Sequence, residues 1–371
     1  MIVMGNKSSN RTSLQIKQIP AQLEENSSNS CLITGGCGFI GVNLIQYLLK
    51  KHPRIKIRVL DNLTVGSREN LAEVCNFVEG HPTNALNHNF SPSSVELVVG
   101  DIRDKETCLQ ACKGIDTVIH LAAHTNVVTS VEDPCRDFEI NVVGTLNLLD
   151  ACIKSKVSRF IFASSNATLG DQTPPSNEEK LPKPLSPYGA SKLACEAYCS
   201  SFYHSYGLKT VALRFSNVYG SHCLHKNSVI ARFIKDAILR KTLTIYGDGS
   251  QTRDFIHVED LCEVILKIIL NENAATSFEG DVFQIGTGKE MSIRDLADHI
   301  KGLFNDGIKT VFEPERKGEI KRNYSDISKA RRLLGFNPST SIEEGIKGVY
   351  DWVASQKFES LAASLITSGS E

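Results

Sequence analysis

Thr34-Gly35-Gly36-Cys37-Gly38-Phe39-Ile40-Gly41 is the stretch of sequence that decides the fold. It follows an apolar run at residues 31–34 and precedes an amphipathic run at 39–51. This order predicts a glycine-rich turn between a strand and a helix. Glycines at this spacing permit a tight turn, a close approach of the backbone to a pyrophosphate, and close packing of helix on strand. An ordinary glycine-rich loop is the alternative, because a short motif of this kind is weak by itself.

The alternation of strand and helix continues along the chain. Further apolar runs predict strands at residues 55–60, 95–99, 117–122, 159–163 and 210–215, and amphipathic runs predict helices that include 133–154 and 188–206. Strands that are apolar throughout are typical of a sheet covered on both faces. We therefore predict an α/β fold, a Rossmann-type doubly wound parallel sheet.

The regular pattern loosens after Asn217. Helices are predicted at residues 229–240, 258–270, 292–304, 326–334 and 342–355, and strands at 243–246 and 282–285. We expect a dinucleotide-binding domain at 30–216, which 252–305 partly rejoins, and a smaller, interleaved C-terminal α/β substrate lobe at 217–356. Residues 1–29 are rich in polar side chains and predict a disordered extension, and 357–371 predict a polar tail.

Composition excludes several classes of partner. The net charge is −1, so nothing electrostatic favours nucleic acid. The chain has no run of 18 apolar residues and its first 30 residues lack an apolar signal, so we expect no membrane insertion and a cytoplasmic location. Eleven cysteines and ten histidines show no ligand spacing that we interpret as a metal site, and reduced thiols packed as small apolar groups are the simpler interpretation.

An acidic residue after the second predicted strand identifies the dinucleotide. Asp61 lies 20 residues beyond Gly41, where a carboxylate binds the adenine-ribose hydroxyls and repels a 2′-phosphate, so NAD is favoured over NADP. We interpret the nearby Arg58 and Arg68 as solvated surface charges. Asp101, after the third strand, is a candidate for the adenine amino group or for a helix cap. The predicted cofactor-binding residues are Gly35, Gly38, Phe39, Ile40, Gly41, Asp61, Asn62, Asp101, Ile102, Leu121, Ala122, Ala123, Tyr188 and Lys192.

A second segment, Tyr188-Gly-Ala-Ser-Lys192, carries groups for proton transfer. Oxidation of a secondary alcohol needs a base for the hydroxyl proton, and tyrosine, with a reference pKa of about 10, is a poor one at neutral pH. A lysine ammonium one helical turn away favours the phenolate and lowers that pKa. Ser165 ends the preceding strand and can hydrogen-bond to the same substrate oxygen. Ser165, Tyr188 and Lys192 are the predicted catalytic residues, and His120 is interpreted as a packed histidine.

These motifs, taken in order, resemble the extended short-chain dehydrogenase/reductase family, and within it the nucleotide-sugar 4-epimerases. The resemblance runs from about residue 31 to residue 352. It is carried by TGGCGFIG (34–41), LDNL (60–63), GDIRD (100–104), HLAAHT (120–125), SSNATLGD (164–171), SPYGASK (186–192), LRFSNVYG (213–220), QTRDFIHVEDL (251–261) and RKGEIKRNYSDISKARRLLGF (316–336).

The resemblance implies that NAD stays bound while Tyr188 takes the proton of the sugar 4-hydroxyl, and that hydride leaves C4 and returns to its other face. It also implies that Arg253 and Arg316 hold the substrate diphosphate, as planar cationic donors do well. Family members pair through two helices, so 133–154 and 188–206 imply a homodimer, with burial inside the monomer as the alternative. The implied substrate-binding residues are Ser165, Asn166, Asn217, Tyr246, Arg253, Arg316 and Asn323.

Two departures from the family pattern bear on the reaction. Asn166-Ala167 stands where 4,6-dehydratases of the family carry an Asp-Glu pair, so elimination of water lacks its usual acid and base. Thr168-Leu169-Gly170 replaces the usual Val-Tyr-Gly beside the sugar. A 4,6- or 5,6-dehydratase that recruits its acid and base elsewhere, with Glu132 and Cys135 as candidates, stays an alternative. A non-catalytic NAD or nucleotide-sugar sensor is the alternative from another class.

The sugar is predicted from one position. In related epimerases a bulky tyrosine at the place of Asn323 excludes N-acetylated sugars, whereas a smaller residue admits them. The late segment 316–336 also resembles epimerases of UDP-N-acetylhexosamines. The resemblance therefore favours interconversion of UDP-GlcNAc and UDP-GalNAc, with UDP-Glc and UDP-Gal as the alternative pair.

Overall fold

The structure is a computed structural model, and it describes residues 30–80, 94–224, 226, 228–270, 278–304, 307–316 and 320–355. The extension predicted at 1–29 and the tail predicted at 357–371 lie outside the described residues. No helix in the described part of the chain is long and apolar enough to cross a membrane.

The strands run, in chain order, as β1 Ser30–Thr34, β2 Lys56–Asp61, β3 Val78–Gly80, β4 Val95–Val99, β5 Thr117–His120, β6 Arg159–Ser165, β7 Lys209–Phe215, β8 Asn217–Tyr219, β9 Leu243–Tyr246, β10 Thr252–Arg253, β11 Phe255–His257, β12 Asp281–Ile285, β13 Met291–Ser292 and β14 Thr310–Glu313. The α-helices are α1 Phe39–Lys51, α2 Arg68–Ala72, α3 Lys105–Cys112, α4 Val127–Glu132, α5 Pro134–Phe138, α6 Gly144–Ser155, α7 Pro187–Tyr206, α8 Val229–Ile238, α9 Val258–Leu270, α10 Ile293–Leu303, α11 Ser328–Leu334 and α12 Ile342–Ser355.

An eight-stranded sheet forms the centre of the molecule, in the order β12-β7-β6-β5-β1-β2-β4-β3. Every neighbouring pair in it is parallel. The chain moves outward in one direction from β1 to β2 and β4, and in the other direction from β5 to β6 and β7. In such a sheet the crevice at the carboxyl ends of β1 and β5 is the expected place for a ligand. The predicted doubly wound parallel fold is confirmed.

The two faces of the sheet carry separate apolar layers, as expected for strands buried on both sides. Ile33, Ile119 and Ile161 pack toward α1 and α9, whereas Leu32 and Phe160 pack toward α3, α6 and α7. Alternate residues of one strand point to opposite faces, so continuous apolar runs are needed to fill both layers. Strand β12 pairs with β7, which returns this later part of the chain to the main sheet.

The helix predicted at 133–154 is interrupted. Asp133 ends α4 and caps α5 by accepting a hydrogen bond from the Arg136 N–H, and Pro134 occupies the first turn of α5. A π-helical turn, Glu139–Val143, then separates α5 from α6. Apolar periodicity continues through this region, which is why the sequence suggested one helix. Turns of the π type are often found at functional sites.

The interpretation of Arg58 as a solvated charge was wrong. Its side chain is fully buried in β2 and donates to Glu96 at 2.7 Å and to the carbonyl oxygens of Ala111 and Lys113. The hydrogen bonds tie β2 to β4 and to the end of α3, and they compensate for burial of the guanidinium. Arg68, by contrast, is exposed and pairs with Glu79, as the sequence suggested.

The remaining elements form small sheets and helices beyond the carboxyl edge of the main sheet. Pairs β8–β11 and β9–β14 are parallel, and β10–β13 is antiparallel. Gly335 ends α11 in the left-handed conformation, at φ 62°. Ser341 and Glu344 form a reciprocal capping box before α12, since each side chain accepts from the other residue's N–H at 3.2 Å.

Candidate active site

A cavity of about 480 Å³ lies at the carboxyl edge of the central sheet, around the crevice between β1 and β5. It brings together residues that are far apart in sequence. Each residue predicted to bind the cofactor lines it, and so do Ser165 and Asn217. The cavity thus joins the glycine-rich turn to the segment that carries Tyr188 and Lys192.

The glycine-rich turn (residues 34–41) connects β1 to α1 at one end of this cavity. Gly35 has φ +69°, and a Cβ there would lie 2.8 Å from the backbone nitrogen of Ala122, so a larger residue does not fit. Gly38 precedes α1 without a side-chain cap, and the first turn of α1 has no acidic residue. The N–H groups that begin an uncapped helix are suited to a pyrophosphate. The residues present therefore fit a dinucleotide.

Asp61 lies where an adenine ribose is expected. Its carboxylate is buried at the end of β2 and accepts hydrogen bonds from the N–H groups of Cys37 and Leu63, both at 2.9 Å. Burial raises the pKa of Asp61, and the two backbone donors oppose that shift. This carboxylate would repel a 2′-phosphate on the adenine ribose, so the site fits NAD rather than NADP.

Asp101 also lines the cavity. It accepts from the Arg103 guanidinium at 2.9 Å and from the Asn62 amide at 3.1 Å, and the bonds to Arg103 lower its pKa to about 2. The helix cap considered for Asp101 is instead supplied by Asp104, which accepts from the Glu106 N–H. Asp101 therefore lies at the cavity wall with Arg103 and Asn62 as its hydrogen-bond partners.

Ser165, Tyr188 and Lys192 line the same cavity as the glycine-rich turn. Ser165 ends β6, and Tyr188 and Lys192 lie in the first two turns of α7, which begins after the cap residue Ser186. The Ser165 side chain interacts with Tyr188 and lowers its pKa, and the Lys192 ammonium lies 5.9 Å from the centroid of the Tyr188 ring. Lys192 Nζ donates to the carbonyl oxygen of Ala163 at 2.9 Å. The three predicted catalytic side chains therefore lie close together.

The electrostatics of this group differ from the prediction. Burial raises the pKa of Tyr188 to about 12, against a smaller lowering by the hydrogen bond from Ser165. Burial also lowers the pKa of Lys192 to about 8. The predicted lowering of the Tyr188 pKa was wrong for the protein's own groups, because removal from water is the largest cause of the shift and raises the pKa.

His120 is a packed histidine, as the sequence suggested. It is 1% exposed, with Nδ1 2.7 Å from the Thr34 hydroxyl and Nε2 3.0 Å from the Thr145 hydroxyl. Burial, with a smaller effect of the Lys192 charge, lowers its pKa to about 3. The imidazole is therefore neutral and supports the carboxyl end of β5 from behind.

An ion pair behind the catalytic helix was missed by the sequence reasoning. Glu196, one turn beyond Lys192, accepts two hydrogen bonds from Arg214 at 2.8 and 2.7 Å and one from the Ser164 hydroxyl. These groups are buried and join α7 to β6 and β7. The spacing of Glu196 four residues after Lys192 is the signal that could have indicated it.

The predicted substrate-binding residues fall into two groups. Asn217 lines the cavity, and its Nδ2 donates to the carbonyl oxygen of Asp254 at 3.3 Å. Tyr246, Arg253, Arg316 and Asn323 are not among the described residues that line the cavity. The Arg316 guanidinium lies 3.7 Å from the centroid of the Tyr246 ring, and Arg253 donates to the carbonyl oxygens of Thr252 and Ile320. Asn323 is half-buried.

Asn166 occupies a different environment from the one predicted. Its side chain is buried, and Nδ2 donates to the hydroxyls of Ser216 at 3.0 Å and Ser325 at 2.9 Å. It does not line the cavity among the described residues. The Ser325 N–H donates in turn to the buried carboxylate of Asp254. Asn166, which directly follows β6, therefore links the end of that strand to the later part of the chain.

Several further residues line the cavity without having been predicted. Among them are the polar or charged residues His124, Thr125, Arg136 and Lys226. The motif HLAAHT contains the first two, so its position at the end of β5 was the available signal. Among the described residues, no group of three His, Cys, Asp or Glu side chains could hold a metal ion.

Comparison with known proteins agrees with this site. The profile of the NAD dependent epimerase/dehydratase family matches residues 31–286. A UDP-glucose 4-epimerase of Mycolicibacterium smegmatis is 32% identical over 320 residues, which cover 85% of this chain and 95% of that protein.

Solved structures show the same similarity. The UDP-N-acetylglucosamine 4-epimerase of Methanobrevibacter ruminantium is 32% identical, with a TM-score of 0.76 over 89% of this chain and 99% of that one. The UDP-glucose 4-epimerase of Thermus thermophilus in complex with NAD is 32% identical, with a TM-score of 0.73 over 88% and 99%. A dTDP-glucose 4,6-dehydratase of Streptomyces venezuelae is also similar, at 29% identity and a TM-score of 0.74 over 88% and 98%. This chain belongs to the NAD-dependent epimerase/dehydratase family.

Proposed function

We propose that the protein is an NAD-dependent nucleotide-sugar 4-epimerase, with UDP-GlcNAc and UDP-GalNAc as its substrate pair. The observation that carries this proposal is the meeting of Ser165, Tyr188 and Lys192 in the cavity that the glycine-rich turn also lines. NAD, when bound, takes a hydride from a sugar carbon and returns it, and its oxidised ring carries positive charge.

The chain's own residues move the proton. Tyr188 accepts the proton of the sugar 4-hydroxyl and later returns it to the same oxygen. Ser165, which lines the cavity together with Tyr188, donates to that oxygen and fixes its position. Lys192, with a pKa near 8, stays cationic at neutral pH and stabilises the phenolate.

The positions of the carboxylates in the cavity favour epimerisation over loss of water. Among the described residues, the acids that line the cavity are Asp61, which accepts from the glycine-rich turn, and Asp101, which follows β4. Asn166 carries no acid and is held by Ser216 and Ser325, as described above. Glu132 and Cys135, considered as substitutes, are exposed and do not line the cavity. Among the described residues, therefore, no acid besides Asp61 and Asp101 lines the cavity to assist elimination.

The later part of the chain supplies the proposed substrate contacts. We propose that residues 30–216, with 252–305, bind NAD, and that the lobe 217–356 binds the nucleotide sugar. Arg253 and Arg316 would hold the diphosphate, Tyr246 would border the nucleotide, and Asn323 would admit an N-acetyl group. The named similarity to a UDP-N-acetylglucosamine 4-epimerase supports this choice of sugar.

One assay tests the reaction and the sugar together. The purified protein is incubated with UDP-, GDP- and dTDP-sugars, and the products are separated by chromatography and weighed by mass spectrometry. We expect interconversion of UDP-GlcNAc and UDP-GalNAc at constant mass. Conversion of UDP-Glc to UDP-Gal alone would overturn the choice of sugar. A product lighter by one water would support the dehydratase, and binding without conversion would support the sensor.

We also propose that two copies pair through the helices near the catalytic residues. Val127, Val128, Val131 and Phe138 on α4 and α5 are exposed, although large apolar side chains are usually covered. Tyr198 on α7 is exposed as well. Sedimentation equilibrium tests this proposal: a dimer that Phe138→Glu converts to a monomer is the expected result, and a monomeric native protein would contradict it.

A further inference from the structure

A buried carboxylate that takes no part in the proposed proton transfer lies beside the catalytic helix. Asp137, in the short helix α5, is 1% exposed. Its Oδ1 lies 3.1 Å from Nδ1 of His124 and accepts from Nδ2 of Asn141, also at 3.1 Å. Its Oδ2 has no hydrogen-bond partner among the described residues. A buried charge with one free oxygen is costly, so its position calls for an explanation.

His124 holds this carboxylate from the cavity side. The histidine lines the cavity, and its Nε2 lies 2.9 Å from the Thr129 hydroxyl, so the hydroxyl can donate while Nδ1–H donates to Asp137. The His124 N–H also donates to Oδ1 of Asn141 at 2.8 Å. Both ring nitrogens and the backbone are therefore used to fix the carboxylate and the π-helical turn behind it.

The same cluster is connected to the helix that carries the catalytic residues. Asn141 Nδ2 lies 3.0 Å from the hydroxyl of Ser191, and that hydroxyl donates to the carbonyl oxygen of Tyr188. The charge of Asp137 raises the pKa of Tyr188 and opposes the lowering of the pKa of Lys192. The carboxylate therefore acts on both members of the proton-transfer pair in the same direction.

Other charged groups near the pair come from the elements packed around it. On α7, Cys195, Cys199 and Glu196 raise the pKa of Lys192, and the carboxylate of Glu196 is already paired with Arg214. From β5, the neutral His120 faces the lysine. Among the carboxylates of α4, α5 and the π-helical turn, Glu132 and Glu139 are exposed and hydrated. Of the carboxylates on these elements, Asp137 is thus the buried one.

We propose that Asp137, held by His124, is a positioning residue whose charge keeps the transferred proton within the pair of Tyr188 and Lys192. This inference rests on the proposed role of Tyr188 as the proton acceptor. An epimerase must give back the proton that it takes, because the same sugar oxygen is deprotonated and then reprotonated. A site that held the phenolate too strongly would oxidise the sugar and fail to complete the return.

The test measures ionisation of Tyr188 directly in the NAD-loaded protein. Tyrosinate absorbance is titrated for each variant. The curve of the same variant carrying Tyr188→Phe is then subtracted, so that the difference reports Tyr188. We expect Asp137→Asn to shift the Tyr188 titration to lower pH by about one unit, as removal of a nearby like charge does in a poorly hydrated site. His124→Ala keeps the carboxylate but removes a donor, so the titration shifts to higher pH.

Glu132→Gln, which removes an exposed carboxylate from α4, is the matched control and leaves the titration in place. If Asp137→Asn behaves like this control, or if both cluster variants shift the titration in one direction, the inference is overturned. We expect the variants to follow the same order in the pH at which turnover falls on the acid side of the pH profile. The titration needs no substrate, so a failure of the proposed epimerase activity would leave this test intact.

Discussion

The cofactor end of the site, which lines the cavity, and the proposed substrate end are built from different kinds of structural element. At the cofactor end, Asp61 and Asp101 follow parallel strands, and the glycine-rich turn joins a strand to a helix. At the proposed substrate end, Tyr246 and Arg253 belong to short sheets, and Arg316 belongs to the segment after β14. Each predicted cofactor residue lines the cavity, whereas of these later residues none does among those described. Local sequence order determines the first end, and long-range packing determines the second.

The largest effect is expected where the two ends meet. Tyr188→Phe removes the proton acceptor, so we expect kcat to fall about a thousandfold while NAD stays bound. Turnover of UDP-GlcNAc measures kcat, and a fluorescence titration measures NAD binding. Tyr206→Phe, an exposed tyrosine on the same helix, is the control and should keep full activity. Near-normal turnover by Tyr188→Phe would remove the basis of the proposed mechanism.

The next effect tests the cofactor end. Gly35→Ala places a Cβ against the backbone of Ala122 in a left-handed conformation, so unfolding should become easier by roughly 3 kcal/mol and NAD binding should weaken. Gly348→Ala is the matched control, because nothing lies within 4 Å of its added Cβ in α12. That variant should gain up to about 1 kcal/mol. Equal stability of the two variants would show that the turn does not depend on glycine.

What the sequence predicted follows the same division. Strand positions, α1 and the capping of α12 follow from local patterns, and the structure has them. The burial of Arg58 was not predictable, because its partners Glu96 and Ala111 are brought to it by strand pairing and by α3. The prediction of a lowered pKa for Tyr188 was wrong for a related reason. The spacing to Lys192 was visible in the sequence, but the extent of burial was not.

A smaller effect tests the substrate end. Arg316→Ala should raise KM for the nucleotide sugar about tenfold to a hundredfold, since a charged hydrogen bond contributes roughly 1.5 to 3 kcal/mol, and kcat should change less. Arg322→Ala is the control, because that exposed arginine pairs with Glu290 at 2.5 Å. Steady-state kinetics distinguish the two variants. Equal KM values would show that the arginine stacked on Tyr246 does not hold the diphosphate.

The smallest effect concerns the junction between the two ends. Ser325 accepts from Asn166 and contacts the Ser216 hydroxyl at 3.0 Å, so it joins the end of the catalytic strand to the later part of the chain. Ser325→Ala leaves the Asn166 amide with one acceptor, and we expect a loss of about 1 kcal/mol in urea unfolding. Ser201→Ala, an exposed serine on α7, should change stability by less than about 0.5 kcal/mol. If the junction also orients the substrate end, Ser325→Ala raises KM for the sugar and leaves NAD affinity unchanged. A parallel loss of NAD affinity would mean that the two ends are not separately determined.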